Sequence, residues 1–95
     1  MRQKIRVYSS TGGPEPEKYA EGALRAVERG FTAVKMCPFP EPVRFIDTPA
    51  MVDKTIRRVA AVREAVGPQI DVALDFHRAV SPAMALMVLP ELEPL

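Results

Sequence analysis

The chain has 95 residues, of which 47% are hydrophobic and 26% charged, and this composition indicates one small globular domain and excludes a disordered chain. Its formal net charge is +1 and its basic residues are scattered, so neither nucleic-acid binding nor membrane binding is expected. The first ten residues lack the apolar run of a signal peptide, and the one cysteine, Cys37, excludes an internal disulfide. We therefore expect a cytoplasmic protein.

The first predicted unit is a strand followed by a helix. Alternating β-branched residues predict a strand over 4–10, and Thr11-Gly-Gly-Pro14 has the chemistry of a turn. Pro16 suits the first position of a helix and Gly30 the position just after its end, so a helix is expected over 15–29. Its expected apolar stripe consists of Ala20, Ala23, Leu24 and Val27.

The second predicted unit begins with a strand over 32–37. Its alternation places Val34 and Met36 on one face and Lys35 and Cys37 on the other. A strand that buries one apolar face in this way leaves Lys35 at its carboxyl end, on the opposite face.

A proline-rich segment follows that strand. Pro38-Phe-Pro-Glu-Pro42 cannot continue a ladder of hydrogen bonds, so it predicts a stiffened loop that runs to about Asp47. Thr48-Pro49 then caps a helix expected over 49–66, and Gly67-Pro68 ends it. The expected apolar stripe of this helix consists of Val52, Ile56, Val59, Val62 and Val66.

The third predicted unit carries the candidate chemistry. Over a strand at 70–76, apolar residues alternate with polar ones, so Asp75 and His77 are expected to share one face. Ser81-Pro82 has the pattern of a helix N-cap followed by its first turn, and Pro90 is expected to interrupt that helix. A carboxylate and an imidazole are thus predicted at the carboxyl end of a strand, where α/β folds bind ligands.

The order β-α-β-α-β-α predicts a parallel sheet with right-handed crossovers. Three parallel strands leave two open edges, and parallel sheets are normally covered on both faces. The helix segment 83–89 is apolar on all sides, and Met84, Met87 and Leu89 are expected in the core. We therefore expect the chain to be part of something larger and to self-associate through its exposed sheet edges.

Five segments, in the order in which they occur, form a recognisable set: Val7-Tyr8-Ser9-Ser10, Gly30–Met36, Ile46–Pro49, Val62–Pro68 and Leu74-Asp-Phe-His77. They resemble the enolase superfamily, most closely the mandelate racemase group and its acid-sugar dehydratases such as D-galactonate dehydratase. The resemblance implies a modified (β/α) barrel of about 250 residues with an added capping domain. Residues 1–95 would then be the N-terminal part of the barrel domain, its first three βα units, with the capping domain and later strands absent from this sequence.

The resemblance also implies roles for three residues. Asp75 matches the first of three carboxylate ligands of Mg²⁺, and His77 matches the histidine that helps a hydroxyl depart. Lys35 matches the first lysine of a Lys-x-Lys motif, in which Cys37 replaces the second. The implied reaction abstracts the proton α to the carboxylate of a sugar acid, stabilises the enediolate with Mg²⁺ and eliminates water. Arg78-Ala79 stands where the family has Gly-Arg.

Plainer interpretations of these residues stay open. Asp75 is equally suited to a solvated or capping role, His77 to the surface, and Lys35 to reaching solvent from a strand end, while Cys37 is expected to be inert rather than nucleophilic. One carboxylate gives little affinity for Mg²⁺, so weak or no binding by this chain is expected. The chain would accordingly be an inactive piece of a dehydratase, a non-catalytic truncated remnant, or a small independent α/β binding module.

Overall fold

A computed structural model describes residues 3–39, 49–77 and 80–95. The elements follow the order β1 (Ser9–Ser10), α1 (Pro16–Glu28), β2 (Ala33–Met36), α2 (Pro49–Val66), β3 (Asp71–Leu74) and α3 (Pro82–Leu92). The three strands are parallel and lie in the spatial order β1-β2-β3. This α/β unit confirms the predicted fold class, a partial barrel of three strands alternating with three helices.

The first strand is much shorter than the predicted 4–10. Ser9 pairs with Val34 and Ser10 with Lys35, and residues 4–8 make no backbone hydrogen bond to β2. Beside this gap, the Thr32 carbonyl accepts the Asp71 N–H at 3.0 Å and the guanidinium of Arg6 at 2.9 Å. A side-chain contact therefore takes the place of the backbone ladder before Ser9.

Both long helices lie on one side of the sheet, because α1 packs directly along α2 and the two could not touch across the sheet. Val34 and Met36 point into the core between the sheet and these helices, as predicted. The opposite face of the sheet carries Ala33, Lys35 and Ala73, which are partly or fully exposed. Helices on a single side are the arrangement of a barrel wall, in which the other face looks inward.

Residues with local conformational preferences mark the first and last turns of the helices where the sequence predicts. Pro16 is in the first turn of α1, and Gly30 (φ 94°) and Gly67 (φ 79°) follow α1 and α2 in the left-handed conformation that glycine adopts freely. The Ser81 hydroxyl accepts the Met84 N–H at 3.1 Å, which confirms the N-cap of α3. The predicted Thr48 cap, and the predicted loop beyond Phe39, lie outside the described residues.

The buried faces of α1 and α2 differ from the predicted stripes. On α1, Tyr19 and Ala26 are buried beside Ala23, whereas Leu24 is exposed. On α2, Val59 and Val62 are buried as expected, and the polar residues Thr55 and Arg58 are buried with them. The predicted stripe of α1 was wrong in including Leu24 and in omitting Tyr19 and Ala26. The stripe of α2 was correct but omitted Thr55 and Arg58, because amphipathic side chains bury their apolar parts as well. The other three residues of the predicted α2 stripe, Val52, Ile56 and Val66, are partly buried and pack against the core.

The prediction that Pro90 interrupts α3 is wrong, because the helix continues to Leu92. Pro90 removes the hydrogen bond to the carbonyl of Leu86, but Leu86 is 72% exposed, so water can reach that carbonyl. Met84 is buried as expected, whereas Met87 and Leu89 are exposed. Within the described ranges, no helix is both long and apolar enough to cross a membrane.

Candidate active site at the carboxyl end of the sheet

Lys35 and Asp75 meet at the carboxyl end of the sheet, on its open face. Lys35 is the third residue of β2, and the Asp75 N–H extends the ladder one residue beyond β3 by bonding the Met36 carbonyl at 2.8 Å. The Lys35 Nζ then lies 3.4 Å from Asp75 Oδ2. Two residues that are 40 positions apart in the sequence are thereby brought together. In barrel folds this edge is where substrates bind.

His77 reaches the same site through a turn. β3 ends at Leu74, so the alternation predicted over 70–76 does not extend to His77. His77 instead adopts a left-handed conformation (φ 49°), and its main-chain N–H donates to Asp75 Oδ1 at 2.8 Å. The turn holds the carboxylate in place, while the imidazole belongs to an exposed residue.

The electrostatics of this cluster favour charged side chains. The His77 N–H and, after it, the hydrogen bond from Lys35 hold the pKa of Asp75 below its ordinary range. The hydrogen bond to Asp75 in turn raises the pKa of Lys35 above its ordinary range. At neutral pH the two side chains therefore form an ion pair, which is partly exposed to solvent.

Tyr8 is a member of this cluster that we did not predict. The Lys35 Nζ lies 5.4 Å from the centre of the Tyr8 ring, within the range of a cation–π contact. Because Ser10 pairs with Lys35, Tyr8 shares its face two residues earlier, and the register could have revealed it. The site thus combines the side chain of Lys35 on β2 with those of Tyr8, just before β1, and Asp75, just after β3.

Side chains of α1 and α2 hold the backbone that follows β2 through hydrogen bonds. The Tyr19 hydroxyl of α1 donates to the Cys37 carbonyl at 2.8 Å, and Arg58 Nη1 of α2 donates to the Pro38 carbonyl at 3.4 Å. Phe39 packs edge-on against Phe76, with ring centres 5.1 Å apart. Burial raises the pKa of Tyr19, so its hydroxyl stays protonated and able to donate. The segment after Lys35 is therefore fixed relative to the segment that contains Asp75.

The described residues do not by themselves offer the set of ligands that Mg²⁺ prefers. Nowhere in residues 3–39, 49–77 and 80–95 do three or more His, Cys, Asp or Glu side chains cluster so as to hold a metal ion. Asp75 is one carboxylate, and both of its oxygens already accept hydrogen bonds. Because Mg²⁺ prefers an octahedral set of oxygen ligands, these residues by themselves do not make a magnesium site.

Solved structures share this arrangement of elements. A candidate dehydratase from Zymomonas mobilis ZM4 matches 98% of the chain with a TM-score of 0.91 at 26% identity, and the match covers 28% of that protein. A member of the enolase superfamily from Salmonella Typhimurium matches 98% with a TM-score of 0.88 at 28% identity, over 29% of its length.

A third similar structure is a mandelate racemase/muconate lactonizing enzyme from Jannaschia sp. CCS1, which matches 99% of the chain with a TM-score of 0.85 at 30% identity, over 28% of its length. The chain thus spans less than a third of each of these three proteins. A family model described as Enolase C-terminal domain-like also matches residues 18–95. The chain therefore belongs to the Enolase C-terminal domain-like family of the enolase superfamily.

Proposed function

We propose that residues 1–95 are the first three βα units of the barrel domain of an acid-sugar dehydratase, similar to D-galactonate dehydratase, and that this chain is inactive by itself. The observation that carries the proposal is the Asp75 carboxylate, held at the carboxyl end of the sheet by the His77 N–H with Lys35 beside it. The similarity to a candidate dehydratase over 98% of the chain supports it. We also propose the cytoplasm as the compartment, which the single cysteine supports.

The proposed reaction removes the proton from C2 of a sugar acid and the hydroxyl from C3. The C2–H electron pair forms the new double bond, and the departing hydroxyl takes up a proton and leaves as water. The resulting enol tautomerises to a 2-keto-3-deoxy acid. We assign the proton donated to that hydroxyl to the imidazole of His77, which lies at the substrate-binding edge of the sheet.

Lys35 and Asp75 are assigned different tasks. Lys35 places a positive charge at the edge where the carboxylate of a sugar acid would bind. This positive charge favours negatively charged substrates. Asp75 would contribute one carboxylate to a Mg²⁺ site whose other ligands lie outside this chain. The base that removes the C2 proton would likewise come from outside, since Cys37 stands where the family has a second lysine. For these reasons the chain should not turn over sugar acids alone.

A chimera tests the proposal. In the chimera, residues 1–95 would replace the matching segment of the Zymomonas mobilis candidate dehydratase, and the rest of that protein would be kept. Galactonate and other six-carbon sugar acids would be supplied with Mg²⁺, and the formation of 2-keto-3-deoxy acid measured. We expect turnover by the chimera and none by the isolated chain.

Each contrary result is informative. A chimera that is folded by circular dichroism but inactive on every sugar acid would contradict the proposal and favour a non-catalytic remnant. Turnover by the isolated chain would show that it is not an inactive piece. The unaltered Zymomonas mobilis protein, assayed on the same acids, is the control for substrate choice.

A further inference from the structure

The contacts of the Asp75 carboxylate are those of an ion pair with a lysine rather than those of a metal ligand. We infer that Lys35 is the resident counter-ion of the Asp75 carboxylate in this chain, and that its ammonium group weakens the binding of divalent cations to that carboxylate while the other metal ligands are absent. The inference rests on the proposed function only in taking Asp75 as a carboxylate that a metal would use. The contacts themselves are independent of any assigned reaction.

Both oxygens of Asp75 already accept a hydrogen bond. Oδ1 accepts the His77 N–H at 2.8 Å, and Oδ2 lies 3.4 Å from the Lys35 Nζ. A cation that approached either oxygen would come close to the ammonium group. It would also compete with two donors that already neutralise or satisfy the carboxylate.

The strand and two side-chain contacts restrain Lys35 near Asp75. Lys35 belongs to β2, which is hydrogen-bonded to a strand on each side. Its ammonium group also lies 5.4 Å from the centre of the Tyr8 ring. The Lys35 side chain is 33% exposed and that of Asp75 39%, so solvent reaches the pair but does not surround it. A flexible lysine would leave the carboxylate often unpaired, whereas this one has contacts that keep it in place.

The charges of Lys35 and Asp75 cancel. Lys35 and Asp75 together are neutral, so the pair offers no net attraction to a cation. The other acidic group on the open face, Asp71, lies at the far end of β3 and pairs with Arg6 at 2.9 Å. Removing the charge of Lys35 would therefore leave one uncompensated carboxylate at the carboxyl end of the sheet.

The experiment measures cation binding by the chain itself, with Mn²⁺ as the probe. Paramagnetic broadening of backbone amide resonances near residue 75 would be followed during Mn²⁺ titration at low salt. Wild type would be compared with Lys35→Met and Lys35→Gln, which remove the charge, and with Lys35→Arg, which keeps it. Mg²⁺ added afterwards should reverse the broadening.

We expect both neutral variants to bind Mn²⁺ about tenfold or more tightly than wild type, because a divalent ion about 5 Å from an ammonium group is repelled by this much even in water. Lys35→Arg should remain as weak as wild type. Adding Asp75→Asn to Lys35→Met should abolish the gain. Equal affinities of wild type and the neutral variants, or a gain that persists with Asp75→Asn, would overturn the inference.

These outcomes are separate from those of the chimera. The titration needs no turnover and uses the isolated chain, so its failure would leave the dehydratase proposal standing. An inactive chimera would equally leave the Lys35–Asp75 relation intact. Circular dichroism of each variant confirms that the compared chains are folded, and Lys35 is on the open face of the sheet, where substitution leaves the core unchanged.

Discussion

The amino and carboxyl ends of the sheet each carry an ion pair on the open face, and the two pairs are built differently. At the amino end, Arg6 makes three contacts: Nε with Thr32 Oγ1 at 3.0 Å, Nη2 with the Thr32 carbonyl at 2.9 Å and Nη1 with Asp71 at 2.9 Å. At the carboxyl end, Lys35 reaches Asp75 through one contact of 3.4 Å. A rigid guanidinium with three short contacts suits a structural link, whereas an ammonium group with one longer contact acts mainly as a point charge.

In (β/α) barrels, residues at the carboxyl ends of the strands form the active site, and residues at the amino ends contribute mainly to stability. The two ion pairs differ in the same sense. Arg6 ties the segment before β1 to β2 and β3 at a point where the backbone ladder is missing. Lys35 joins strands that are already paired through their backbones. The amino-end contact therefore adds a connection that the fold lacks, and the carboxyl-end contact adds a charge arrangement.

The largest expected effect distinguishes the two ends by activity. In an active chimera, His77→Asn should lower kcat by about a hundredfold or more, because a positioned general acid contributes that much. Arg6→Met should leave kcat unchanged, since Arg6 lies at the opposite end of the sheet. Steady-state kinetics on the same sugar acid would measure both. Equal losses in the two variants would remove the functional contrast between the ends.

We also propose that the isolated chain self-associates beside the amino end, through the edge of β1. Ile5 is 81% and Val7 61% exposed, and segment 4–8 makes no backbone hydrogen bond to any described residue. Ile5→Glu should weaken self-association about tenfold, or about 1.4 kcal/mol, because it places a charge in an apolar contact. Sedimentation equilibrium would measure this, with Gln3→Glu as the charge-matched control. A chain that is monomeric at every concentration would favour the independent module.

The turn at the carboxyl end of the sheet depends on the backbone conformation of His77. Its left-handed conformation is tolerated by asparagine but is strained for a β-branched residue. His77→Val should therefore lower the free energy of unfolding by about 1–2 kcal/mol relative to His77→Asn. Urea unfolding at neutral pH would measure the difference. Equal stability of the two variants would mean that the turn does not require this conformation.

A smaller effect is expected at the amino end. Because Arg6 and Asp71 are exposed, Arg6→Met should lower the free energy of unfolding by at most about 1 kcal/mol. Arg6→Lys should lose most of the same stability, because an ammonium group cannot reproduce the three contacts of the guanidinium. Urea unfolding at low and high salt would compare the variants. Full retention of stability in Arg6→Lys would show that charge, rather than geometry, makes this link.

The smallest expected effect is the pH dependence of the carboxyl end. Since the pKa of Asp75 is lowered in the folded chain, its contribution to stability is complete above the ordinary aspartate pKa of about 4 and is lost as the pH falls through the lowered pKa. Carbon-detected NMR titration of the carboxyl group would give that pKa. Lys35→Met should return it only part of the way to the ordinary range, since the His77 N–H remains the larger cause. A complete return would reverse that ranking.

The starts of the helices and the ends of α1 and α2 could be predicted because local residues determine them, whereas the end of α3 was placed too early, at Pro90. Pro16, Gly30, Gly67 and Ser81 act within one turn of chain, so a linear pattern contains the needed information. The presence of Lys35, Asp75 and His77 at one edge was also predictable, because parallel strands that alternate with helices share their carboxyl ends.

The contacts across strands could not be predicted in the same way. The links from Arg6 to Asp71 and from Lys35 to Tyr8 depend on strand register, which is a relation between distant segments. The turn at His77 was missed because strand alternation was extended past Leu74. Tyr19, buried with its hydroxyl on the Cys37 carbonyl, was missed because its polar group concealed its place in the core.

The central position of β2 has a consequence for how the site opens. Within the described sheet, β2 is hydrogen-bonded to a strand on both sides, whereas β3 is hydrogen-bonded to a strand on one side, where β2 lies. Local unfolding begins where fewer contacts must break, so amide hydrogens of β2 should exchange with deuterium more slowly than those of β3. Fluctuations of the Lys35–Asp75 pair would thus come mainly from the Asp75 side, while Lys35 keeps its place on the most protected strand.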